Sequence, residues 1–340
     1  MTATPMKRPR TIQLTSAKTL GGWSERYGLI VIWALLIAVF SVIEGPIFLS
    51  VANWQSILGS QSVLLLLAIG LLVPMTAGDY DLSITGVMGI SSMTVAILNV
   101  QGGWPIWPAV IAAIVASLLA GLLNGAIVVV FGVDPFISTL GTGSVFLGII
   151  YWISDSNTIT GVSSDLTAWV VGGKILGIPL AFYYGVLACA IVWFVLKYTV
   201  FGREVLFVGR NKSLSRLAGM KVGRLRFLAL TISAGVAGIA GVVYTGTTGS
   251  ADPTSSQSFL LPTFAAVFLG ATVIQNQRFN AWGTLIAVYF LVTGITGLQL
   301  LGADSFVQPL FFGGALVISV ALSQFSRRKD AASAERLGHG

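Results

Sequence analysis

Two carboxylates, Asp79 and Asp81, interrupt an otherwise apolar stretch in the first third of the chain. A carboxylate at membrane depth costs about 3 kcal/mol on insertion scales, so it is expected in a polar cavity or in a paired site. One interpretation is a broken-helix segment beside a translocation path. The other is a short cytoplasmic turn in which Asp81 or Ser83 caps the next helix. The residues alone leave both interpretations open.

Further polar residues lie in or beside the apolar runs. Asn124 stands near Gly121 and Gly125, a setting more typical of a hydrogen bond between helices than of a solute ligand. Asp134 and Pro135 indicate a turn and a helix start, with proline in the first helical position. The candidate residues beside a translocation path are Asp79, Asp81, Ser83, Asn124, Phe136 and Thr139.

The sequence lacks the motifs of common hydrolytic chemistry. It contains no G-x-x-x-x-G-K-[S/T] loop for nucleotides, no G-x-S-x-G elbow and no H-E-x-x-H pair. The single histidine, His339, is one residue from the end, and the single cysteine, Cys189, can form no internal disulfide. We therefore predict that the chain is not an enzyme and binds no cofactor and no metal.

One long polar segment, residues 201–226, separates two strongly apolar halves. Against one acid, Glu204, it carries seven basic residues, which are Arg203, Arg210, Lys212, Arg216, Lys221, Arg224 and Arg226. Lysine and arginine concentrate in the short loops that stay on the cytoplasmic side of a membrane protein. The segment is therefore predicted to be a cytoplasmic loop.

The pattern inside this segment predicts a short amphipathic helix outside the bilayer. Asn211 or Ser213 can cap the helix, and Gly219 supplies a stop. The face between them is apolar, with Leu214, Leu217 and Ala218. This favours a docking element for a cytoplasmic partner over a solvated loop that only fixes orientation. Lys212 is expected to be an exposed charge that adds little to binding.

Composition places the whole chain in a membrane. Of its 340 residues, 55% are hydrophobic and 9% are charged, with a mean hydropathy of +0.88, whereas a soluble domain carries roughly 25% charged residues. The net charge of +7 is concentrated near both termini and in the central loop. Topology and anionic membrane lipid explain that charge, so no nucleic-acid partner is predicted.

The apolar runs predict an all-α polytopic membrane protein. With about 20 residues for each span, there is room for about ten transmembrane helices, with both termini in the cytoplasm. The spans are predicted at about residues 27–43, 61–77, two within 82–133, 135–154, 180–200, 227–245, 262–274, 282–301 and 306–325. Residues 1–26 would be a cytoplasmic N-terminal segment, 27–326 the transmembrane domain and 327–340 a cytoplasmic tail. The eighth span is short.

A faint internal repeat appears at an offset near 170 residues. Residues 76–83 resemble residues 247–254, and residues 134–137 resemble residues 304–307. Because five spans separate the copies, the repeat would be inverted, an architecture common among transporters. Chance similarity is the alternative.

Several stretches together resemble a known family. They are AGDYDLSITGVMGIS (77–91), AGLLNGAIVVVFGVDPFISTLGTGSVFLGI (120–149), FGREVLFVGRNKSLSRLAGMKVGRLRF (201–227), GSADPTSSQSFLLPTFAAVFLGAT (249–272) and WGTLIA (282–287). Over about residues 45–326 the chain resembles the permease subunits of bacterial ABC importers of the ribose/xylose/galactose type, which are related to the branched-chain amino acid permeases. It departs from them at Asp79-Tyr80, where the family commonly has two glycines, and at residues 275–280, which replace a Gly-rich turn.

The resemblance implies a multi-pass permease of the bacterial inner membrane for a sugar or a polyhydroxylated relative. The implied partners are a cytoplasmic ATP-binding subunit, a periplasmic solute-binding protein and a second permease copy or a paralogue. The residues then expected to couple to the ATPase are Arg210, Asn211, Leu214, Leu217, Ala218, Gly219 and Met220. The alternative is an ion-coupled secondary transporter that uses Asp79, Asp81 or Asp134, against which the central basic helix argues.

Overall fold

The computed structural model describes residues 17–274 and 278–321. The predicted C-terminal tail, residues 1–16 of the predicted N-terminal segment and the last four residues of the predicted tenth span lie outside this part of the chain. The helices are α1 (Ala17–Ile43), α2 (Gly45–Phe48), α3 (Val51–Ser60), α4 (Ser62–Thr76), α5 (Ile84–Ala96), α6 (Ile106–Val129), α7 (Pro135–Ile153), α8 (Ser164–Thr167), α9 (Leu180–Tyr198), α10 (Val200–Arg210), α11 (Lys212–Leu217), α12 (Val222–Thr248), α13 (Leu260–Gly270), α14 (Ala281–Leu300) and α15 (Val307–Ala321).

Seven of the apolar stretches in the described residues are long enough to cross a membrane. They are Val51–Thr76, Ile84–Gln101, Ile106–Val129, Pro135–Ile153, Leu180–Tyr198, Val222–Thr248 and Ala281–Leu300. Two shorter apolar helices, Tyr27–Ile43 and Val307–Ala321, lie where the first and last spans are predicted. Helix α13, at the place of the short eighth span, has 11 residues. The prediction of a helical membrane protein is therefore confirmed.

Helix α4 lies at the centre of the bundle, and every one of its residues is buried. It packs against α12, which presents small residues to its neighbours. A Cβ atom added to Gly121 of α6 would come within 2.5 Å of the Ala234 Cβ atom, and one added to Gly125 would come within 2.7 Å of the Phe227 ring. These glycines allow close helix packing, because only hydrogen fits at such contacts.

The packing of α4 and α12 is reciprocal. Helix α12 contacts α4, α5 and α6, whereas α4 contacts α12, α13 and α14. The two long helices directly after α4, which are α5 and α6, thus pack on α12, and the two long helices directly after α12, which are α13 and α14, pack on α4.

We call the end of the bundle that contains α11 the α11 end, and the other end the opposite end. Helix α12 is 27 residues long, or roughly 40 Å at 1.5 Å per residue. Its first turns lie beside α11, at the α11 end. Its last turn lies at the opposite end, where Ser250–Ala251 pairs antiparallel with Ile159–Thr160.

The connection between α7 and α9 contains short ordered pieces, so the mostly helical chain also has a few strand residues. The described residues include four two-residue strands: β1 (Ile159–Thr160), β2 (Lys174–Ile175), β3 (Ile178–Pro179) and β4 (Ser250–Ala251). Strands β2 and β3 form a small hairpin, and β1 pairs with β4. The pairing of β1 with β4 ties the loop after α7 to the end of α12.

The central polar segment is mostly helical, whereas one short helix was predicted. Thr199 adopts an extended backbone, which ends α9, and its hydroxyl accepts from Gly202 N at 3.1 Å to cap α10. Helix α10 buries Gly202, Val205 and Val208 on one face. Helix α12 then begins at Val222, so the last residues of the predicted loop belong to a span. The spacing of three residues between the buried positions was the signal for α10.

Candidate functional site

The turn between α4 and α5, residues 77–83, holds both candidate carboxylates at the α11 end. Gly78 takes a left-handed backbone conformation (φ +77°), which glycine adopts without steric cost. Asp79 N donates to Pro74 O at 2.9 Å, which closes the end of α4. Asp79 is left 1% exposed and faces the central polar segment. We call these residues the α4–α5 turn.

Asp79 bridges two basic residues from different helices. Its Oδ1 atom lies 2.7 Å from Lys212 Nζ of α11, and its Oδ2 atom lies 2.6 Å from Arg226 Nε of α12. Lys212 Nζ also donates to Gly78 O at 3.1 Å. A buried carboxylate is stable only when it is paired and hydrogen-bonded. Asp79 is therefore an ionic link between the α4–α5 turn, α11 and α12.

Asp81 is held by hydroxyl groups rather than by basic residues. Its Oδ1 atom accepts from Ser83 N at 3.1 Å and from Ser83 Oγ at 2.6 Å, and its Oδ2 atom accepts from Ser233 Oγ at 2.9 Å. Burial in this turn raises the pKa of Asp81, and the hydrogen bonds from Ser83 and Ser233 oppose that shift. Asp81 thus joins the start of α5 to the middle of α12.

Asn124 and Thr139 extend the network to two further helices. Asn124 Nδ2 donates to Ser83 Oγ at 2.7 Å, which confirms the predicted hydrogen bond between helices, while its buried Oδ1 atom has no partner among the described residues. Thr139 Oγ1 accepts from Leu82 N at 3.0 Å and lies 3.1 Å from Tyr80 O. The α4–α5 turn therefore contacts α6 and α7 as well as α11 and α12.

The structure brings together five of the six candidate path residues. They are Asp79, Asp81, Ser83, Asn124 and Thr139, all buried around the α4–α5 turn. Phe136 lies one turn before Thr139, in the first turn of α7, and the residue is 49% exposed. The predicted start of that helix is confirmed, because Asp134 caps it and Pro135 takes the first position.

The short helix predicted in the central polar segment is present as α11. Asn211 is its cap, with Oδ1 accepting from Leu214 N at 2.9 Å, so Ser213 is not needed in that role. Gly219 takes a left-handed conformation (φ +79°) and ends the helix. Leu214 is 59% exposed and Leu217 is 86% exposed. Exposed leucines on a capped helix make an apolar face that is open to a partner.

The other predicted coupling residues, which surround this face, differ in how exposed they are. Arg210, Asn211, Ala218 and Gly219 are exposed, and Met220 is partly buried. Ser215, on the other side of α11, is buried and donates to Asn211 O at 2.8 Å. Helix α11 is thus buried on the side of Ser215 and exposed on the side of Leu214 and Leu217.

The expectation for Lys212 was wrong, and two partners were missed. Lys212 is not a free surface charge, because its ammonium group binds the buried Asp79. Arg226 and Ser233, which bind Asp79 and Asp81, were not among the candidates. They stand seven residues apart on α12 and so share one helix face. That spacing of polar residues beside an apolar run was the available signal.

At the opposite end of the bundle, residues 249–254 form a turn of the same local construction. Gly249 is left-handed (φ +64°), and Asp252 Oδ1 accepts from Thr254 N at 2.9 Å and from Thr254 Oγ1 at 2.6 Å. Thr158 Oγ1 donates to Asp252 Oδ2 at 2.7 Å. Hydrogen bonds from Thr254 and Thr158 hold the pKa of Asp252 well below its usual range.

The α4–α5 turn is the meeting point of polar contacts from several helices. Among the described residues no three His, Cys, Asp or Glu side chains converge as metal ligands would. The polar atoms instead connect four helices, α6, α7, α11 and α12, to the turn between α4 and α5, and α11 leaves its outer face open.

Comparison with known proteins gives consistent results. The family described as the branched-chain amino acid transport system permease component matches residues 53–320. The ribose import permease protein of Bacillus subtilis (strain 168) is 35% identical over 87% of this chain and 91% of its own. The D-allose transport system permease protein of Escherichia coli (strain K12) is 30% identical over 88% and 92%. The L-arabinose ABC transporter permease protein of Azospirillum brasilense is 26% identical over 93% of each chain. No solved structure matches.

Proposed function

Because this chain belongs to the branched-chain amino acid transport system permease family, it is a multi-pass permease of the bacterial inner membrane, and we propose how it works within an ATP-driven importer. The function is transport of a sugar through a path that the permease forms. The observation that carries this conclusion is similarity along almost the whole chain to permeases named for ribose, D-allose and L-arabinose.

The solute class follows from the chemical properties that these three sugars share. Ribose, allose and arabinose are small, uncharged and polyhydroxylated, so a pathway for them needs hydrogen-bonding groups rather than fixed charges. The charge of Asp79 is neutralised by Lys212 and Arg226, which suits this requirement. It also leaves that carboxylate poorly placed for ion coupling. We propose a pentose or a hexose as the solute.

We propose three protein partners. A cytoplasmic ATP-hydrolysing subunit would dock on α11, where the exposed Leu214 and Leu217 offer the apolar anchors of a small interface. A periplasmic solute-binding protein would deliver the sugar to the opposite end, and a second permease copy or a paralogue would complete the path. The chain itself would not be an enzyme, since its relatives are named as permeases.

The proposed orientation puts the α11 end in the cytoplasm. Nine basic residues whose side chains the structure describes lie at that end: Lys197, Arg203, Arg210, Lys212, Arg216, Lys221, Arg224, Arg226 and Arg278. At the opposite end the described residues include one base, Lys174, with the acids Glu44, Asp155, Asp165, Asp252 and Asp304. This bias supports a cytoplasmic central segment and, with ten spans, cytoplasmic termini.

An inverted repeat remains our proposal for the architecture. It is supported by the two turns, in which a left-handed glycine precedes an aspartate by three residues and that aspartate binds the amide and hydroxyl two residues later. The turns lie at opposite ends of the bundle. The reciprocal packing of α4 and α12 also fits two halves related by a pseudo-two-fold axis in the membrane plane.

We propose that the α4–α5 turn carries motion from the docking helix to the path. A displacement of α11 moves Lys212, and the ionic link to Asp79 passes the displacement to the turn. Because Asp81, Ser83 and Asn124 are hydrogen-bonded in series, the turn can shift α5 against α6 and α12. The candidate path residues would then act through this network, with Phe136 at its edge.

Vesicle transport tests the proposed function. The permease, co-purified with its ATPase and binding protein, is reconstituted with ATP at the α11 side, and uptake of labelled ribose, allose and arabinose is measured. We expect uptake of at least one sugar that vanadate abolishes and an ionophore does not affect. Uptake that needs no ATP and collapses with an ionophore would show an ion-coupled transporter instead.

A further inference from the structure

A cavity at the α11 end joins basic and aromatic side chains from three elements. Its volume is about 200 Å³, and it lies where α9 passes into α10 and where α14 begins. Lys197, Arg203 and Arg278 line it together with Trp193 and Phe279. It is separate from the α4–α5 turn, none of whose residues line it.

The three basic residues of this cavity have no acidic partner among the described residues. No Asp or Glu among the described residues lies within 4 Å of their charged nitrogens, whereas Lys212 and Arg226 are both paired. Lys197 Nζ instead lies 5.1 Å from the ring centres of Trp193 and Tyr198, in cation–π contact. Three positive charges around one small cavity, without a carboxylate from residues 17–274 or 278–321 beside them, favour an anionic group inside it.

The position of the cavity selects the kind of anion. Helices α9 and α14 are both long enough to cross a membrane, and the cavity lies at the end of one and the start of the other. This is the depth of the phospholipid headgroups, where tryptophan and tyrosine also concentrate. Beside the cavity, Phe194 and Val200 expose 55% and 63% of their surface and offer an apolar wall for acyl chains.

We propose that this cavity binds the phosphate group of an anionic phospholipid from the cytoplasmic leaflet. Arg203 and Arg278 would hold the phosphate oxygens, Lys197 would neutralise the remaining charge, and the acyl chains would run along the outside of α9. Basic pockets between membrane helices on the cytoplasmic side bind such lipids elsewhere. A bound lipid would tie α14 to the α9–α10 junction, one short helix away from the docking helix α11.

This inference rests on the membrane orientation proposed above but not on the identity of the solute. The test therefore uses the purified full-length permease alone, without transport. Its melting temperature in a neutral detergent is measured with added phosphatidylglycerol, phosphatidylcholine or inorganic phosphate, and tightly bound lipid is counted by native mass spectrometry. Failure of sugar uptake would leave this measurement unaffected.

The matched variants differ only in where charge is removed. In the first, Lys197, Arg203 and Arg278 become glutamine; in the control, the exposed Arg216, Lys221 and Arg224 become glutamine. We expect phosphatidylglycerol to stabilise the wild type and the control, and its affinity for the first variant to fall about fivefold for each charge removed. Single Arg203→Gln and Arg278→Gln variants repeat the comparison if the triple variant does not fold.

Three results would overturn the proposal. Phosphatidylglycerol binding by the cavity variant at wild-type affinity would show that the cavity is not the site. An equal loss in the control variant would show a diffuse attraction of basic residues to anionic lipid. Stabilisation by inorganic phosphate at the concentration at which phosphatidylglycerol acts would show a site for soluble anions.

Discussion

The substitution Asp79→Asn tests how firmly the α4–α5 turn is tied to α11 and α12. Asp79 is 1% exposed and has two cationic partners, of which Arg226 is 12% exposed and Lys212 is 35% exposed. Two charges about 4 Å apart interact by about 4 kcal/mol at an effective dielectric constant of about 20. Solvent screening reduces the Lys212 contribution to about 1 kcal/mol or less. Most of the link therefore comes from Arg226.

The expected loss in the free energy of unfolding depends on which charge each variant leaves without a partner. Asp79→Asn leaves Arg226 charged and largely buried without a counterion, and breaking such a pair costs about 3–5 kcal/mol. Arg226→Gln should cost a similar amount, while Lys212→Gln should cost about 1 kcal/mol. In a double-mutant cycle the Asp79–Arg226 coupling should exceed the Asp79–Lys212 coupling, because the more buried pair is less screened.

Two measurements are needed, one for stability and one for coupling. Unfolding of the purified permease in mixed micelles, followed by tryptophan fluorescence, gives the free energies. Uptake per ATP hydrolysed in reconstituted vesicles gives the coupling, which we expect Asp79→Asn to lower by about fivefold or more. Asp134→Asn is the control, because Asp134 is exposed and only caps α7, a role that asparagine fills equally well.

The reasoning would be refuted by a specific pattern. If Asp79→Asn unfolds like the wild type and the cycle with Arg226 shows no coupling, the ionic link does not stabilise the fold. If stability falls but uptake per ATP is unchanged, the link is structural and does not transmit motion from α11.

The other predictions concern the docking helix, the topology and pH. Leu217→Ala should leave the permease as stable as the wild type, since the residue is 86% exposed. It should weaken co-purification of the ATPase about tenfold, as loss of an interface anchor does. The control Arg216→Gln should change little, and an equal loss in both variants would refute an apolar docking face. Cysteines placed at Asp165 and Arg216, with Cys189 replaced by serine, should react with impermeant reagents from opposite sides of the membrane; reaction from one side would refute the topology. The lowered pKa of Asp252 means that its charge stabilises the fold above the ordinary pKa of about 3.9 and that this stability is lost as pH falls below it. The difference in melting temperature between wild type and Asp252→Asn should therefore be constant above about pH 5 and shrink in acid, and a difference that grows in acid would contradict this assignment.

Much of the fold could be predicted from sequence because the signals involved are short-range. Hydropathy summed over about 20 residues identifies a span whatever its neighbours are. The same holds for α11, where Asn211 binds an amide three residues away and Gly219 supplies the left-handed stop. Helix α10 was missed although its pattern is also local, because its short apolar stripe lies inside a strongly basic segment.

Less of the candidate site than of the fold could be predicted from the sequence. The sequence by itself marked Asp79 and Asp81 as unusual, since a carboxylate in an apolar run demands an explanation, but it left open whether they border a path or end a helix. Only the tertiary structure decided their partners. Asp79 meets Lys212 and Arg226 across 133 and 147 residues of chain, and Asn124 meets Ser83 across 41. Such pairings depend on which faces of α4, α11 and α12 come together, and helix packing rather than local hydrogen bonding sets that.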